Sequence, residues 1–310
     1  MKIRSAALIG VGAVGAYFVK GLMEKEDVDF SVIAEGERKE RLIKDGVTIN
    51  GVNYRPAVKE PEEAKGVDLI LIAVKYNGLA EAADYAARMV KSDTIVMSLL
   101  NGVTSEQIVG DVIGSEHMLY SVMRIQSFRE GNNIVFDPGI TAGVFFGEEE
   151  VTEEKSERVL AVEELFYGTG IRCTFVPDMK GEMWNKFSSN VCRNIPQAML
   201  GVGFGAYADS EHVGWMEKVL EDEVAAVAEA NGVIIPPMDE AVKAKLMSVE
   251  KKARFSTLQD IDAKRHTEVE MLLGDLIRLA GNSGVPVPYS TFCYHFIKAM
   301  EEKSDGLFDY

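Results

Sequence analysis

Cysteine is scarce in this chain, and so is positive charge. Cys173, Cys192 and Cys293 are its three cysteines in 310 residues. Their odd number and wide separation fit no metal-ligand spacing and predict reduced thiols in a cytoplasmic setting. Lys and Arg together number 33 against 49 Asp and Glu, a net charge of −16. Such a balance argues against nucleic acid, whose phosphates would be repelled. An anionic ligand would have to be met by a few placed cations. No apolar run is long enough to span a bilayer, so no membrane partner is expected. The first residues enter a strand at once, which predicts no signal peptide. Internal repeats, low-complexity segments, a metal-ligand set and a Ser-His-Asp arrangement are all missing.

What is present starts at the N-terminus. An apolar run ending in Ala7-Leu8-Ile9 leads directly into Gly10-Val11-Gly12-Ala13-Val14-Gly15, and an apolar helical pattern follows. In a strand–turn–helix context this Gly-x-Gly-x-x-Gly spacing has a mechanism. Gly10 permits the tight turn, Gly12 lets a pyrophosphate approach the backbone, and Gly15 lets the helix pack close on the strand. The pyrophosphate would sit on the N–H groups of the helix N-terminus. The alternative is a tight turn in another α/β fold.

The first half alternates strand and helix patterns. Strands are predicted at Val28–Ala34, Val67–Val74 and Thr94–Leu100, where near-continuous apolar runs suit parallel strands buried on both faces. Asn50-Gly51 between Val47–Ile49 and Val52–Tyr54 predicts a hairpin. Further strands are expected at Met118–Gln126, Asn133–Phe136, Ile140–Phe146 and Arg172–Val176, with a helix at Glu153–Tyr167. After Pro177-Asp178 strand patterns vanish. Helices are predicted at Lys180–Leu200, Asp209–Asn231, Met238–Lys252, Thr267–Ala280 and Ser290–Lys303, with Asn231-Gly232 and Gly281–Gly284 as stops. The expected organisation is an α/β Rossmann-type dinucleotide-binding domain, 1–177, followed by an all-α domain, 178–310. The helical half has enough apolar residues for a homodimer interface, though an amphipathic helix on its own core reads the same.

Several polar residues occupy suggestive places. Glu35 ends the second strand, where an acid can bind the adenosine ribose hydroxyls, which favours NAD over a 2′-phosphate. Arg38 and Lys39 follow and could offset that preference, or all three could be solvated surface charges. Lys75 and Asn101 stand at the carboxyl ends of two later strands, where open α/β sheets bind ligands. Asn101-Gly102 also reads as an ordinary turn, and Lys75 as a cap on the sheet edge. Lys186, Asn190 and Asn194 recur every four residues, one narrow polar stripe on a helix. Trp184, Phe187 and Val191 suggest that this helix is largely covered, and buried amides need partners. An exposed face is the other reading. Ser256 and Glu268 are further candidates for polar ligand contacts. Asp260 could be a structural cap, and a lone His266 is more often structural.

Taken in order, the glycine motif, Lys75, Asn101-Gly102, Trp184-x-Lys186-x-x-x-Asn190-x-x-x-Asn194, and Ser256-x-x-x-Asp260 with His266-Thr267-Glu268 resemble the ketopantoate reductases, or 2-dehydropantoate 2-reductases. The resemblance covers essentially the whole chain. It implies a Rossmann domain, a helical domain and an active site in the cleft between them. The implied reaction is NADPH-dependent reduction of 2-dehydropantoate, a small 2-oxo acid, to (R)-pantoate, toward pantothenate and coenzyme A. By matching positions Lys186 would be the general acid, Asn190, Asn194 and Ser256 would hold the substrate, and Glu268 its hydroxyl. Asn101 would lie near the nicotinamide and Lys75 near the cofactor. Many members of the family carry an arginine near the end of the second strand to meet the 2′-phosphate of NADPH. This chain has Glu35 in that region, which opens NAD as the alternative to NADP, with Arg38 left to compensate. Geometry adds a condition. Ser256 and Glu268 are twelve residues apart, about 18 Å along a continuous helix. If both touch a small acid, the chain must bend between them, with Thr267 as an N-cap and Glu268 opening the next helix.

Overall fold

Near-continuous apolar segments become the parallel strands of the N-terminal unit. A computed structural model of the chain describes residues 1–130, 132–237 and 249–310. The chain divides into two compact units, Met1–Lys180 and Gly181–Tyr310.

In the first unit, β1 (Ser5–Ile9), β2 (Asp29–Ile33), β5 (Ala57–Lys59), β6 (Leu69–Ile72) and β7 (Ile95–Ser98) form a sheet in the order β5-β2-β1-β6-β7. Every pairing in it is parallel. Leu8, Leu69, Leu71 and Met97 are fully buried in it. That is the condition under which apolar runs, rather than alternation, mark strands. Helix α1 (Ala13–Leu22) packs into the same core through Phe18 and Leu22, and Phe18 meets Phe166 at 5.8 Å. The hairpin of β3 (Val47–Ile49) and β4 (Val52–Tyr54) turns on Asn50 and Gly51, with φ of 49° and 80°, the double left-handed turn that suits paired strands. β3 and β4 join β10 (Asn133–Phe136) and β9 (Ser127–Glu130) in a second sheet. β8 (Tyr120–Arg124), β11 (Gly143–Gly147) and β12 (Cys173–Phe175) form a third. Helix α5 runs from Glu157 to Phe166, later than the Glu153 start expected, because the Ser156 hydroxyl accepts the Val159 N–H and fixes the cap there.

The second unit is helical. The expected helix over Lys180–Leu200 is three pieces: α6 (Met179–Ser189), a π-helical turn at Asn190–Asn194 and α7 (Ile195–Leu200). Pro196 follows the turn and has no N–H with which to continue an α ladder. The long helix Glu211–Ala230 begins at a Ser210 cap and ends at Asn231-Gly232, with Gly232 left-handed. Its buried Glu223 accepts the Tyr289 and Ser290 N–H groups, each at 2.8 Å, at the start of helix Pro288–Ser304. A carboxylate there satisfies donors that the helix leaves unpaired. The helix expected from Met238 lies outside the described residues over 238–248. Among the described residues no helix is long and apolar enough to cross a membrane.

Candidate active site

The register of the parallel sheet collects one group of candidates. Ile9 pairs with Ile33 and with Ile72, and Ile72 pairs with Ser98. The Gly10 turn, Glu35, Lys75 and Asn101 therefore leave neighbouring strands at the same, carboxyl end of the sheet. Gly10 has φ +97°, and a Cβ there would stand 2.7 Å from the Ala73 carbonyl oxygen. A Cβ on Gly15 would stand 2.2 Å from the Gly10 carbonyl oxygen, so helix α1 can press on the turn only as glycine. At Gly12 a Cβ would meet nothing within 4 Å, and no side chain caps α1. The turn thus presents uncapped helix N–H groups beside open space, an arrangement that a pyrophosphate fits. Lys75 is exposed and precedes a 3₁₀ turn at Tyr76–Gly78; Asn101 is half-buried, next to Gly102 at φ +123°.

Glu35 has a partner that sequence spacing does not reveal. Its Oε1 accepts Nη2 of Arg88 at 2.6 Å. Arg88 lies near the end of helix α3 (Leu79–Met89) and also forks onto Glu62, with Nε and Nη2 each donating at 2.7 Å. The Lys39 ammonium is committed to Glu60 and Glu63, at 3.2 and 3.0 Å. Arg38 is exposed.

A buried acid follows the Asn101 loop in the chain. Glu106, in helix α4 (Ser105–Ile113), accepts the Ser105 hydroxyl at 2.9 Å, and Ser105 accepts that of Ser98 at 2.8 Å. The Ser121 hydroxyl donates to the Ser98 carbonyl. Glu106 Oε1 has no hydrogen-bond partner among the described residues. Burial pushes its carboxyl up to about 7, against the bond from Ser105, which favours the charged form.

The second group of candidates lies in the helical unit. Lys186 is half-buried on α6; Asn190 and Asn194 bound the π turn, and Asn194 donates from Nδ2 to Asn190 Oδ1 at 3.4 Å. The two amides stay neighbours, but on a π turn and not on the regular α-helix that the spacing suggests. A π turn closes i→i+5 bonds, so the step from Asn190 to Asn194 swings less far around the axis than α-helical spacing implies. The turn packs against helix α10 (Ser256–Asp262), which begins at Ser256, and against a second π turn, Glu270–Gly274. Buried Gln197 fixes that docking, accepting the Phe255 N–H at 2.7 Å and donating to the Ala253 carbonyl at 3.1 Å. Sequence reading passed over Gln197, and its signal was faint: an amide at an otherwise apolar turn of a covered helix.

Between Ser256 and Glu268 the helix breaks. Helix α10 stops at Asp262, Lys264 turns left-handed with φ 52°, and the next helical residue is Val269. Asp260 holds the bend, its Oδ1 accepting Arg265 Nε at 2.8 Å while its carbonyl accepts the Arg265 N–H. Thr267 accepts the Val269 N–H at 3.2 Å and gives its own N–H and hydroxyl to buried Glu301, each at 2.7 Å. Half-buried Glu268 therefore stands immediately before the helix, one residue earlier than expected. His266 is exposed and pairs with Asp305 at 3.0 Å, a structural contact.

Residues 6–148 match the family model for ketopantoate reductase PanE/ApbA, and residues 178–301 match that for its C-terminal domain. A 2-dehydropantoate 2-reductase of Pyrococcus horikoshii is 25% identical, over 96% of this chain and 98% of its own. That of Mesorhizobium japonicum is 27% identical, over 91% and 93%. A solved structure of D-mandelate dehydrogenase with NADH and anilino(oxo)acetate shares the fold, with TM-score 0.81, 20% identity and coverage of 97% and 99%. A dimeric ketopantoate reductase from Staphylococcus aureus also shares it, with TM-score 0.72, 18% identity and coverage of 97% and 99%. The Rossmann-like parallel sheet, the helical second unit and both family matches lead to one assignment: this chain belongs to the ketopantoate reductase family of oxidoreductases.

Proposed function

We propose that the chain reduces 2-dehydropantoate to (R)-pantoate with a nicotinamide dinucleotide, in the cytoplasm. The observation that carries this reading is the packing of the Asn190–Asn194 turn against both the Ser256 helix and the turn that follows Glu268. It gives one helical unit a cation, two amides, a hydroxyl and a carboxylate on adjoining elements. When bound, the dinucleotide supplies the hydride. Gly10 to Gly15 and the α1 N-terminus hold its pyrophosphate, and Lys75 and Asn101 line the same end of the sheet. Lys186, as an ammonium, stabilises the negative charge that develops on the ketone oxygen and then protonates it. Asn190, Asn194 and Ser256 donate to the substrate carboxylate without a competing proton equilibrium. Glu268 accepts a bond from the substrate hydroxyl.

Cofactor oxidation followed by absorbance, with 2-dehydropantoate and with the 2-oxo acid of mandelate, tests this reading. The expected result is a higher kcat/KM with 2-dehydropantoate. The shared fold with D-mandelate dehydrogenase supports a second reading, an aromatic 2-oxo acid as substrate, and the reverse preference would establish it. Turnover of neither would remove both.

We also propose that a second copy covers the aromatic face of helix Pro288–Ser304. Tyr289, Phe292 and Phe296 share one side of it, Trp215 meets Tyr289 edge to face at 5.5 Å, and Phe292 is 64% exposed. An exposed apolar patch of this kind marks an interaction surface, and the dimeric relative supports self-association. Phe292→Glu is expected to convert a dimer into a monomer by light scattering. A wild-type monomer at micromolar concentration would refute the interface.

A further inference from the structure

We infer that Arg88 is a positioning residue that fixes the Glu35 carboxylate for an unphosphorylated adenosine ribose and so makes NADH the preferred dinucleotide. The inference rests on the dinucleotide reading above and goes beyond it to the choice of nucleotide. Glu35 stands at the N-cap position of helix α2 (Gly36–Asp45), yet its side chain makes no cap bond. A carboxylate there would ordinarily fold back onto the helix N–H groups. Arg88 holds it away, at 2.6 Å from Oε1. The guanidinium is itself immobilised. Glu62 grips it through two bonds of 2.7 Å, Asp84 lies at 3.5 Å, and the Tyr85 ring lies 5.6 Å beneath it. Bidentate gripping fixes the plane of an arginine and hence the direction of its remaining donors.

Charge sets the sign of the preference. Arg88 faces the three carboxylates of Glu35, Glu62 and Asp84, and Lys39 faces the two of Glu60 and Glu63. Those two cations are outnumbered by the carboxylates they face, so neither is available to a 2′-phosphate, and exposed Arg38 is the guanidinium that would have to meet one. A ribose with free 2′- and 3′-hydroxyls instead finds an oriented acceptor. Sheet register supports that position: Ile9 pairs with Ile33 at one strand spacing of about 4.8 Å, and Gly10 and Glu35 follow those two residues at the same end of the sheet.

Fluorescence titration of the full chain with NADH and with NADPH, in the absence of substrate, tests this. Wild type should bind NADH about tenfold or more tightly than NADPH, the worth of a charge-assisted hydrogen bond. Arg88→Met should weaken NADH about tenfold and shift NADPH much less. Arg88→Lys should recover part of the loss, and Glu62→Gln should reproduce it in smaller measure. Turnover at saturating NADH should fall far less than affinity does. Glu35→Arg should move the ratio toward NADPH. Weakening of NADPH more than NADH by Arg88→Met would make Arg88 a phosphate ligand and overturn the inference, as would equal weakening of both. If wild type binds neither dinucleotide, the reading of the glycine turn falls as well. If it binds both and only Glu35→Arg moves the ratio, the role of Arg88 falls and that of Glu35 stands; if no variant moves it, both fall and the glycine-turn reading stands.

Discussion

Lys186→Ala is expected to lower kcat for 2-oxo acid reduction by about 10²–10⁴-fold, the range typical of a lost general acid. The dinucleotide dissociation constant should stay nearly unchanged, because Lys186 belongs to the helical unit and the glycine turn to the other. A ketone gains negative charge on oxygen as the hydride arrives. Without a cation that charge has no local stabilisation, and the proton must come from water. Lys186→Arg should restore the charge but not the proton transfer, and so recover only part of the rate, since a guanidinium keeps its proton at neutral pH. Single-turnover kinetics at saturating dinucleotide separates the effect on chemistry from product release. A variant that keeps most of its single-turnover rate at pH 7 would show that another group is the acid.

The legible parts of this chain are those where local pattern and tertiary demand coincide. The run through Leu8 and Ile9 into Gly10 reads as strand and turn because burial on both faces and a left-handed glycine each leave a residue-level mark. Asn50-Gly51 reads as a hairpin for the same reason. Strands β5 and β9 escaped notice. Ala57–Lys59 is short, exposed or half-buried and at a sheet edge, and Ser127–Glu130 carries little apolar residue content. In the candidate site the residue types were legible, but their arrangement was not. Spacing of four is the same string whether the backbone is an α-helix or a π turn, so the turn at Asn190–Asn194 left no trace beyond Pro196. The Glu35–Arg88 pair joins positions 53 residues apart, and one sequence without its fold gives no reason to connect them. Glu106 reads as an ordinary acid in the first turn of an amphipathic helix. Only its packing beside Ser98 and Ser121 takes it out of water.

Glu106→Gln is expected to stabilise the protein at pH 8 and to remove part of its pH dependence. The carboxyl is fully buried, and burial raises it from 4.5 to about 7. The folded state therefore binds a proton more tightly than the unfolded state does. Its contribution to stability is complete below the unfolded value, is lost as pH rises from about 4.5 to about 7, and is absent above that. The difference corresponds to about 3 kcal/mol between the two ends of the window. Other shifted acids run the opposite way. Asp68, Glu63 and Glu149 are held below their ordinary values, so their stabilising contributions are lost as pH falls through the acidic range. A scan from pH 5.5 to 8.5 lies above the range of those acids, and the difference between wild type and Glu106→Gln across it reads Glu106 free of what the four histidines contribute to both proteins. A neutral amide of the same shape avoids the ionisation penalty, with Glu106 Oε1 otherwise left as a buried unpartnered oxygen. Wild-type Tm should fall by about 4–8 °C more than the variant's across this scan. The loop carrying Asn101 should respond in step, because Ser98 and Ser105 link Glu106 to the strand that precedes it. Amide exchange over residues 99–104 should therefore quicken with pH in the wild type beyond the intrinsic base-catalysed rise. In Glu106→Gln it should follow the intrinsic rise alone. Parallel melting curves for the two proteins from pH 5.5 to 8.5 would mean that Glu106 ionises in the folded state as it does in water, and that the buried hydroxyl chain does not control this loop.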